Sequence, residues 1–466
     1  MKDSDVTRDT DVIAGVSSQR LRALALREGA RFADVRPATR AALSHGAQSW
    51  LDGVPMHWMK DWPMPFPMLV AKARKALLTD LDGHRIDDFC LGDTGSMFGH
   101  SPAPVAKAIR KQAHQGLTYM LPTETALEAG HLLTERFGDF RWQIATTATD
   151  ANRFALRVAR AVTGRPKVLV FNGCYHGTVD EAMVALHDGR TVPRPGLTGQ
   201  VADLTQTAVA VEFNDLAGVK AALATGEIAA ILTEPVMTNS CMVMPVAGFH
   251  DGLRALSRDY GALLIIDETH TISSGLGGYM AVHGLDPDIF VAGKCVAGGM
   301  PTAIWGLRID VADRFAAYNT TRAAGHSGMG TTLSANPMQF ACLRATLAEV
   351  MTPDAYAHME TGAARLEAGL SAAIARHEAP WHVVRVGARV EFICAPGPLR
   401  NGTEAEAAHQ PVLEGVIHTC LLNRGCLIAP FHNMMLVSPV TTPKQIDRLI
   451  AAFDDTLALL FGPDED

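Results

Sequence analysis

The chain has 466 residues, enough for two to four folded units, and its 48% hydrophobic and 19% charged residues are the balance of a globular protein with a large core. A formal net charge of −8 argues against nucleic acid as the main ligand, because phosphate binding needs a basic face. The polar start Met1-Lys2-Asp3-Ser4-Asp5 is no secretory signal, no apolar run reaches the roughly 18 residues of a membrane helix, and eight scattered cysteines without a C-x-x-C pair read as free thiols, so a soluble cytoplasmic protein is expected.

In chain order, the first ~35 residues are charged and weakly patterned, which suggests an arm that orders on docking or a short helix. Gly53 to Pro67 holds Trp58, Trp62 and Phe66 among too many prolines for a helix, and reads as an extended segment whose large side chains pack on the core or wall a substrate pocket. Ala71 to Phe89 has the pattern of a small antiparallel sheet with an Asp82-Gly83 turn. The middle of the chain alternates helical patterns with continuous apolar runs at Val168–Phe171, Ala229–Leu232 and Ala262–Ile266. That is the mark of an α/β domain whose sheet is covered on both faces. From about Pro337 the pattern turns helical, then passes through Val383–Val386 and Val390–Ile393 to a last helix near Lys444–Leu460, a smaller α+β unit. The expected division is 1–95 for the N-terminal arm and part of the small domain, 96–340 for the large α/β domain, and 341–466 for the C-terminal small domain.

Four stretches carry chemistry. Only ten lysines occur, and Lys294 stands just past the apolar run Phe290-Val291-Ala292 and before Gly298-Gly299. Such surroundings desolvate an amine and favour the neutral form that a Schiff base needs, although a lysine beside a turn more often reaches out to solvent. Asp267 closes the strand Leu264-Ile265-Ile266, at the sheet edge where open α/β folds bind ligands; it could pair with a protonated ring nitrogen, or simply cap the next turn. Thr147 and Asp150 have capping-box spacing ahead of the helix Arg153–Ala161, and a helix start with small and hydroxyl residues suits a phosphate. Tyr175, after the next strand, could stack on a flat ring, or pack at the core edge. No metal-ligand spacing appears among the 18 histidines, and the glycine-rich pieces lack the context of a dinucleotide site.

The order of these pieces, with Lys294 27 residues after Asp267, resembles that of the class III aminotransferases, pyridoxal 5'-phosphate (PLP) enzymes of fold type I, in the branch of glutamate-1-semialdehyde aminomutase. The resemblance runs from about Pro65 to the C-terminus. It rests on Asp80-Leu81-Asp82-Gly83-His84, Gly99-His100-Ser101-Pro102, Thr147-Ala148-Thr149-Asp150-Ala151, Tyr175-His176-Gly177, Glu234-Pro235-Val236, Asp267-Glu268-Thr269-His270-Thr271, Gly293-Lys294 and Thr331 to Pro337.

The resemblance implies a large domain with a mostly parallel, seven-stranded central sheet beside a smaller α+β domain. It implies that Lys294 holds PLP as a Schiff base and shuttles the reacting proton, with Asp267 on the pyridine nitrogen. Ala148 and Thr149 would serve the phosphate, and Thr332 would reach it from the partner subunit of a homodimer. Tyr175 and Thr269 would cover the two ring faces, with His176 and Glu234 beside the cofactor. Ala148 departs from the family's glycine, Asp150 from its glutamate and Thr269-His270 from its Val-Gln or Val-Met. His270 could approach the phenolic oxygen or titrate near neutral pH.

Arg389 is a candidate partner for a substrate carboxylate, although a strand-exposed arginine paired with Glu391 is the commoner case. His432 stands where relatives approach the pocket and, with Trp58, suggests a largely apolar or aromatic amine. The resulting expectation is a ping-pong aminotransferase passing nitrogen from an amine or an aromatic or β-amino acid to a keto acid. The alternatives are an aminomutase or racemase on the same scaffold, and a PLP-binding regulatory protein without catalysis.

Overall fold

The computed structural model describes residues 12–429 and 431–463; the polar start Met1–Asp5 and Pro430 lie outside the described residues. The chain divides into two compact units.

One unit comprises Met1–Asp93, His358–Pro398 and Ala408–Asp466. The arm expected near the N-terminus contains a 17-residue helix, Ser18–Asp34, capped by the Ser17 side chain on the Arg20 N–H. Its charged residues hide a narrow apolar stripe of Leu21, Leu24 and Phe32, which buries itself in this unit's core. The hairpins expected between Ala71 and Phe89 are Val70–Arg74, Leu77–Asp80 and Arg85–Asp88, joined in parallel by Cys426–Leu427. A second sheet pairs His382–Val386, Arg389–Ile393 and Met434–Leu436. The last helix, Pro443–Phe461, carries a complete capping box between Thr442 and Gln445.

Between Gly53 and Pro67 the extended segment is replaced in part by a short 3₁₀ turn at His57–Lys60. Proline excludes a long helix but leaves room for single turns. Phe66 rests on Phe32 with ring centroids 5.2 Å apart, whereas Trp58 stays 41% exposed.

The other unit, Thr94–Ala357 with Leu399–Ala407, is built on seven strands. In chain order they are β1 (Phe140–Ala145), β2 (Lys167–Phe171), β3 (Ala208–Val211), β4 (Ile228–Thr233), β5 (Leu263–Asp267), β6 (Ile289–Ala292) and β7 (Ala303–Arg308). Their spatial order is β3-β2-β4-β5-β6-β7-β1. All pairings from β3 to β6 are parallel, and β7 runs antiparallel to both of its neighbours. Every residue of β4, β5 and β6 is buried, which is why these strands read as unbroken apolar runs. Helix α1 (Ala148–Thr163) follows β1 and buries Phe154, Ala155, Val158 and Ala159 in the core beneath the sheet.

Candidate active site

Six strands point the same way, so their C-terminal ends share one edge of the sheet, the place where open α/β folds take ligands. The residues just past those ends line a cavity of about 270 Å³: Thr146–Thr149 after β1, Tyr175–Gly177 after β2, Glu234 after β4, Asp267, Thr269 and His270 at the end of β5, and Lys294 after β6. Pro301 and Thr302, which lead into the antiparallel β7, close the lining.

Asp267 is the last residue of β5 and is buried. Its Oδ2 accepts hydrogen bonds from Asn152 Nδ2 at 2.8 Å and His176 Nδ1 at 2.9 Å, and its Oδ1 accepts the Thr269 N–H at 3.0 Å. The turn-capping contact weighed for this residue is therefore present, on a carboxylate that also lines the cavity. Burial opposes its ionisation, yet the His176 cation and these hydrogen bonds hold its pKa below the usual carboxylate range. His176 is the reciprocal case: burial would lower its pKa, but Cys174 and the Asp267 carboxylate push it up.

Thr147 caps α1 by accepting the Asp150 N–H at 3.2 Å, as its spacing implied. The first N–H groups of any α-helix have no partner inside the helix, and its dipole favours an anion there. Two glycines keep this corner open. A Cβ on Gly177, at φ +75°, would fall 2.0 Å from Thr149 Oγ1, and one on Gly293 would meet the Ala148 Cβ at 2.9 Å.

Lys294 opens a 3₁₀ turn in the left-handed region, at φ +51°. A side chain seldom adopts this conformation without surrounding structure to impose it, and such strain clusters at functional sites. Its Nζ lies 2.5 Å from His270 Nε2. His270 Nδ1 is 2.8 Å from Thr238 Oγ1, and that hydroxyl donates to Glu234 Oε2. Asn152, Thr238, Asn239 and Thr302 are site residues that the sequence reading missed. Asn152 sits within the quoted helix start and Thr238 four residues past Glu234, but a lone amide or hydroxyl has no spacing that marks it.

Thr332 is exposed in a loop and does not line its own chain's cavity, although Ser334 of that loop lies 3.1 Å from the cavity residue Thr146. Trp58, Arg389 and His432 belong to the smaller unit, and the cavity lining is drawn wholly from the larger one. Arg389 is not strand-exposed. It is fully buried, with Nη2 3.7 Å from Asp93 Oδ1, on a central strand whose every residue is buried, so both of its faces are covered. His432 Nδ1 is 3.8 Å from Glu391 Oε2, and Trp58 meets Phe431 edge-on at 6.5 Å.

The chain matches the family model "Aminotransferase class-III" over residues 59–457. It is 32% identical over 402 residues to the glutamate-1-semialdehyde 2,1-aminomutase of Desulforudis audaxviator, covering 85% of this chain and 91% of that protein. A solved glutamate-1-semialdehyde-aminomutase from Pseudomonas aeruginosa PAO1 is 48% identical, with a TM-score of 0.94 over 96% of this chain and all of that one, and a second structure of that protein holds PMP. The β-phenylalanine aminotransferase from Variovorax paradoxus is 28% identical, with a TM-score of 0.83 over 94% of this chain and 97% of that one.

The residues present fit PLP. The cavity offers an amine at Lys294, a buried carboxylate at Asp267 with its pKa held down, and a helix start kept open by Gly177 and Gly293. Four lining side-chain atoms, His176 Nε2, Glu234 Oε1, Thr269 Oγ1 and Thr302 Oγ1, are buried without a hydrogen-bond partner, a polar surface awaiting a polar occupant.

Proposed function

The chain belongs to the class III aminotransferases and uses PLP, and from that premise we propose that it is an aminomutase acting on a small amino aldehyde of the glutamate-1-semialdehyde type. In such a substrate an amine at C2 adjoins an aldehyde at C1. The reaction exchanges the two functions, so nitrogen ends on C1, the carbonyl on C2, and no keto acid is consumed. The observation that carries this reading is the 48% identity, spread over 96% of the chain, to the P. aeruginosa aminomutase.

When bound, PLP supplies an electron sink and a carrier for nitrogen. In the proposed assignment the α1 start at Ala148 and Thr149 holds the phosphate through backbone N–H groups and the helix dipole. Thr332 serves the same phosphate in the partner subunit of a homodimer. Asp267 keeps the ring nitrogen protonated, which its depressed pKa suits. Tyr175 and Thr269 face the two sides of the ring, and His176 and Glu234 border it. Lys294 Nζ holds the cofactor and then carries the proton to and from the reacting carbon, a role that typically supplies about 10²–10⁴-fold of rate.

The test is turnover of the amino aldehyde by purified holoenzyme with no keto acid added. Sustained isomerisation supports the mutase. A second reading, transamination of a β- or aromatic amino acid, is favoured by the likeness to the β-phenylalanine aminotransferase. It takes over if the enzyme stalls after one equivalent and resumes only when a keto acid is supplied. Lys294→Ala, expected to lack the visible band of covalently held cofactor, tests the shared premise.

A further inference from the structure

A cavity of about 410 Å³ in the larger unit is lined from β1, β7, α1 and the helix α2 (Ile309–Thr321), and shares no lining residue with the catalytic cavity. Protein interiors are close-packed, with few voids larger than a water molecule, whereas ligand sites are mostly apolar spaces of roughly 300–1,000 Å³. The walls here are of the second kind: Ile144, Phe154, Trp305, Leu307, Phe315 and Met329. Trp305 is 4% exposed, and its Nε1 is buried with no hydrogen-bond partner among the described residues. A buried indole N–H normally finds an acceptor. Trp142 and Trp381 do so, donating to Thr134 Oγ1 at 3.2 Å and to the Ala14 carbonyl at 2.9 Å. Trp305 thus presents an unused donor in an apolar pocket.

Phe315, Asn319, Ser327 and Met329 also line a larger cavity of about 1010 Å³, so the two spaces adjoin. Five arginines and His326 line this second space, against the three carboxylates Asp180, Glu181 and Asp203. Glu181 is taken by Arg160, and Asp203 accepts from Thr205 and Gln206 beside it. Arg165 is spent on the Ile228 and Tyr260 carbonyls, and Arg322 on those of Ala323 and Gly325. Arg153 and Arg157 remain, exposed and four residues apart on α1, a like-charge spacing that is unfavourable in itself. Gly328, at φ +74°, lets its loop lie against the second of them, since a Cβ there would come 2.8 Å from Arg157 Nη1.

We propose that the two adjoining cavities form one binding site for an amphipathic anion. Its aromatic or aliphatic body fills the apolar space, with a hydrogen-bond acceptor against Trp305 Nε1. Its carboxylate or phosphate head meets Arg153 and Arg157. The proposal does not depend on which reaction the catalytic cavity performs.

The probe is dansylglycine, whose naphthalene body, sulfonyl acceptors and carboxylate match these three features. It is titrated by fluorescence into holoenzyme, so that PLP occupies the catalytic cavity. One saturable site per chain is expected. The double variant Arg153→Gln with Arg157→Gln should weaken binding at least about tenfold, and Trp305→Phe about threefold to tenfold. Ala312→Phe, which fills the apolar space, should abolish it. The neutral dansylglycinamide should bind at least about tenfold more weakly than the acid. Competition by 1-naphthylacetate or by 1-naphthyl phosphate supports the site, and the stronger competitor names the head group. Thermal melting identifies a variant that does not fold; the two arginines are exposed, so their double variant carries the test if the others fail. Absence of saturable binding overturns the proposal, as does binding that the folded variants leave unchanged. Equal binding of the neutral amide overturns the assignment of an anion.

Discussion

Replacing Asp267 by asparagine changes one oxygen into an NH₂ group at the most connected point of the site. The best orientation keeps the amide oxygen facing Asn152 and His176, which donate at 2.8 and 2.9 Å, and so turns the NH₂ group toward the Thr269 N–H at 3.0 Å. A buried donor facing a donor costs about 1–3 kcal/mol. The His176 imidazolium also loses its counter-charge, and breaking a buried pair from one side typically totals about 3–5 kcal/mol. The pH dependence has a definite sign. His176 has its folded pKa raised to about 10, so its stabilisation is complete below its unfolded value of about 6.5 and is lost as pH rises toward 10. Asp267, with its pKa depressed, contributes above about pH 4 and loses its contribution only as pH falls below that. The stability difference between wild type and Asp267→Asn should therefore be greatest near pH 6 and shrink by up to about 1.4 kcal/mol per pH unit between 7 and 9. Urea unfolding of the two apoproteins at pH 6, 7, 8 and 9 measures it. A difference that stays constant across that range, or below about 1 kcal/mol at pH 6, would show that the Asp267–His176 ion pair is not what holds this corner.

Gly177→Ala should leave melting of the apoprotein within a few degrees of wild type but weaken PLP binding at least about tenfold by titration of the visible band, because the new Cβ displaces Thr149 from the helix start. Asn152→Ala removes a donor to Asp267 and should cost about 1–3 kcal/mol of apoprotein stability in urea, with PLP affinity falling alongside. Thr442→Ala, in the capping box of the last helix, should cost about 1 kcal/mol in urea unfolding and leave PLP affinity unchanged, since its effect is confined to the smaller unit.

The legible part of the sequence was the part under one dominant constraint. β4 and β5 are buried on both faces, so their residues have no reason to alternate, and the apolar runs marked them almost to the residue. Asp267 and Lys294 each had a commoner, bland reading, and it was their order along the chain with the other motifs that singled them out; the structure brings both to one cavity. The helix Ser18–Asp34 was obscured for the opposite reason: its buried stripe is narrow and interrupted by charged residues, one of which, Glu28, is itself buried and accepts a hydrogen bond from Asn423. Arg389 misled for a related cause. One arginine in a strand says nothing about which side of a three-stranded sheet it faces, and here it faces the interior, where Asp93 approaches it. Thr238 was the least visible, because it stands 32 positions before His270 in sequence and the two become neighbours only when β4 and β5 pair in parallel. That pairing also constrains their evolution. A hydroxyl at position 238 gives the ring at position 270 a directed partner, so the two positions are expected to change together.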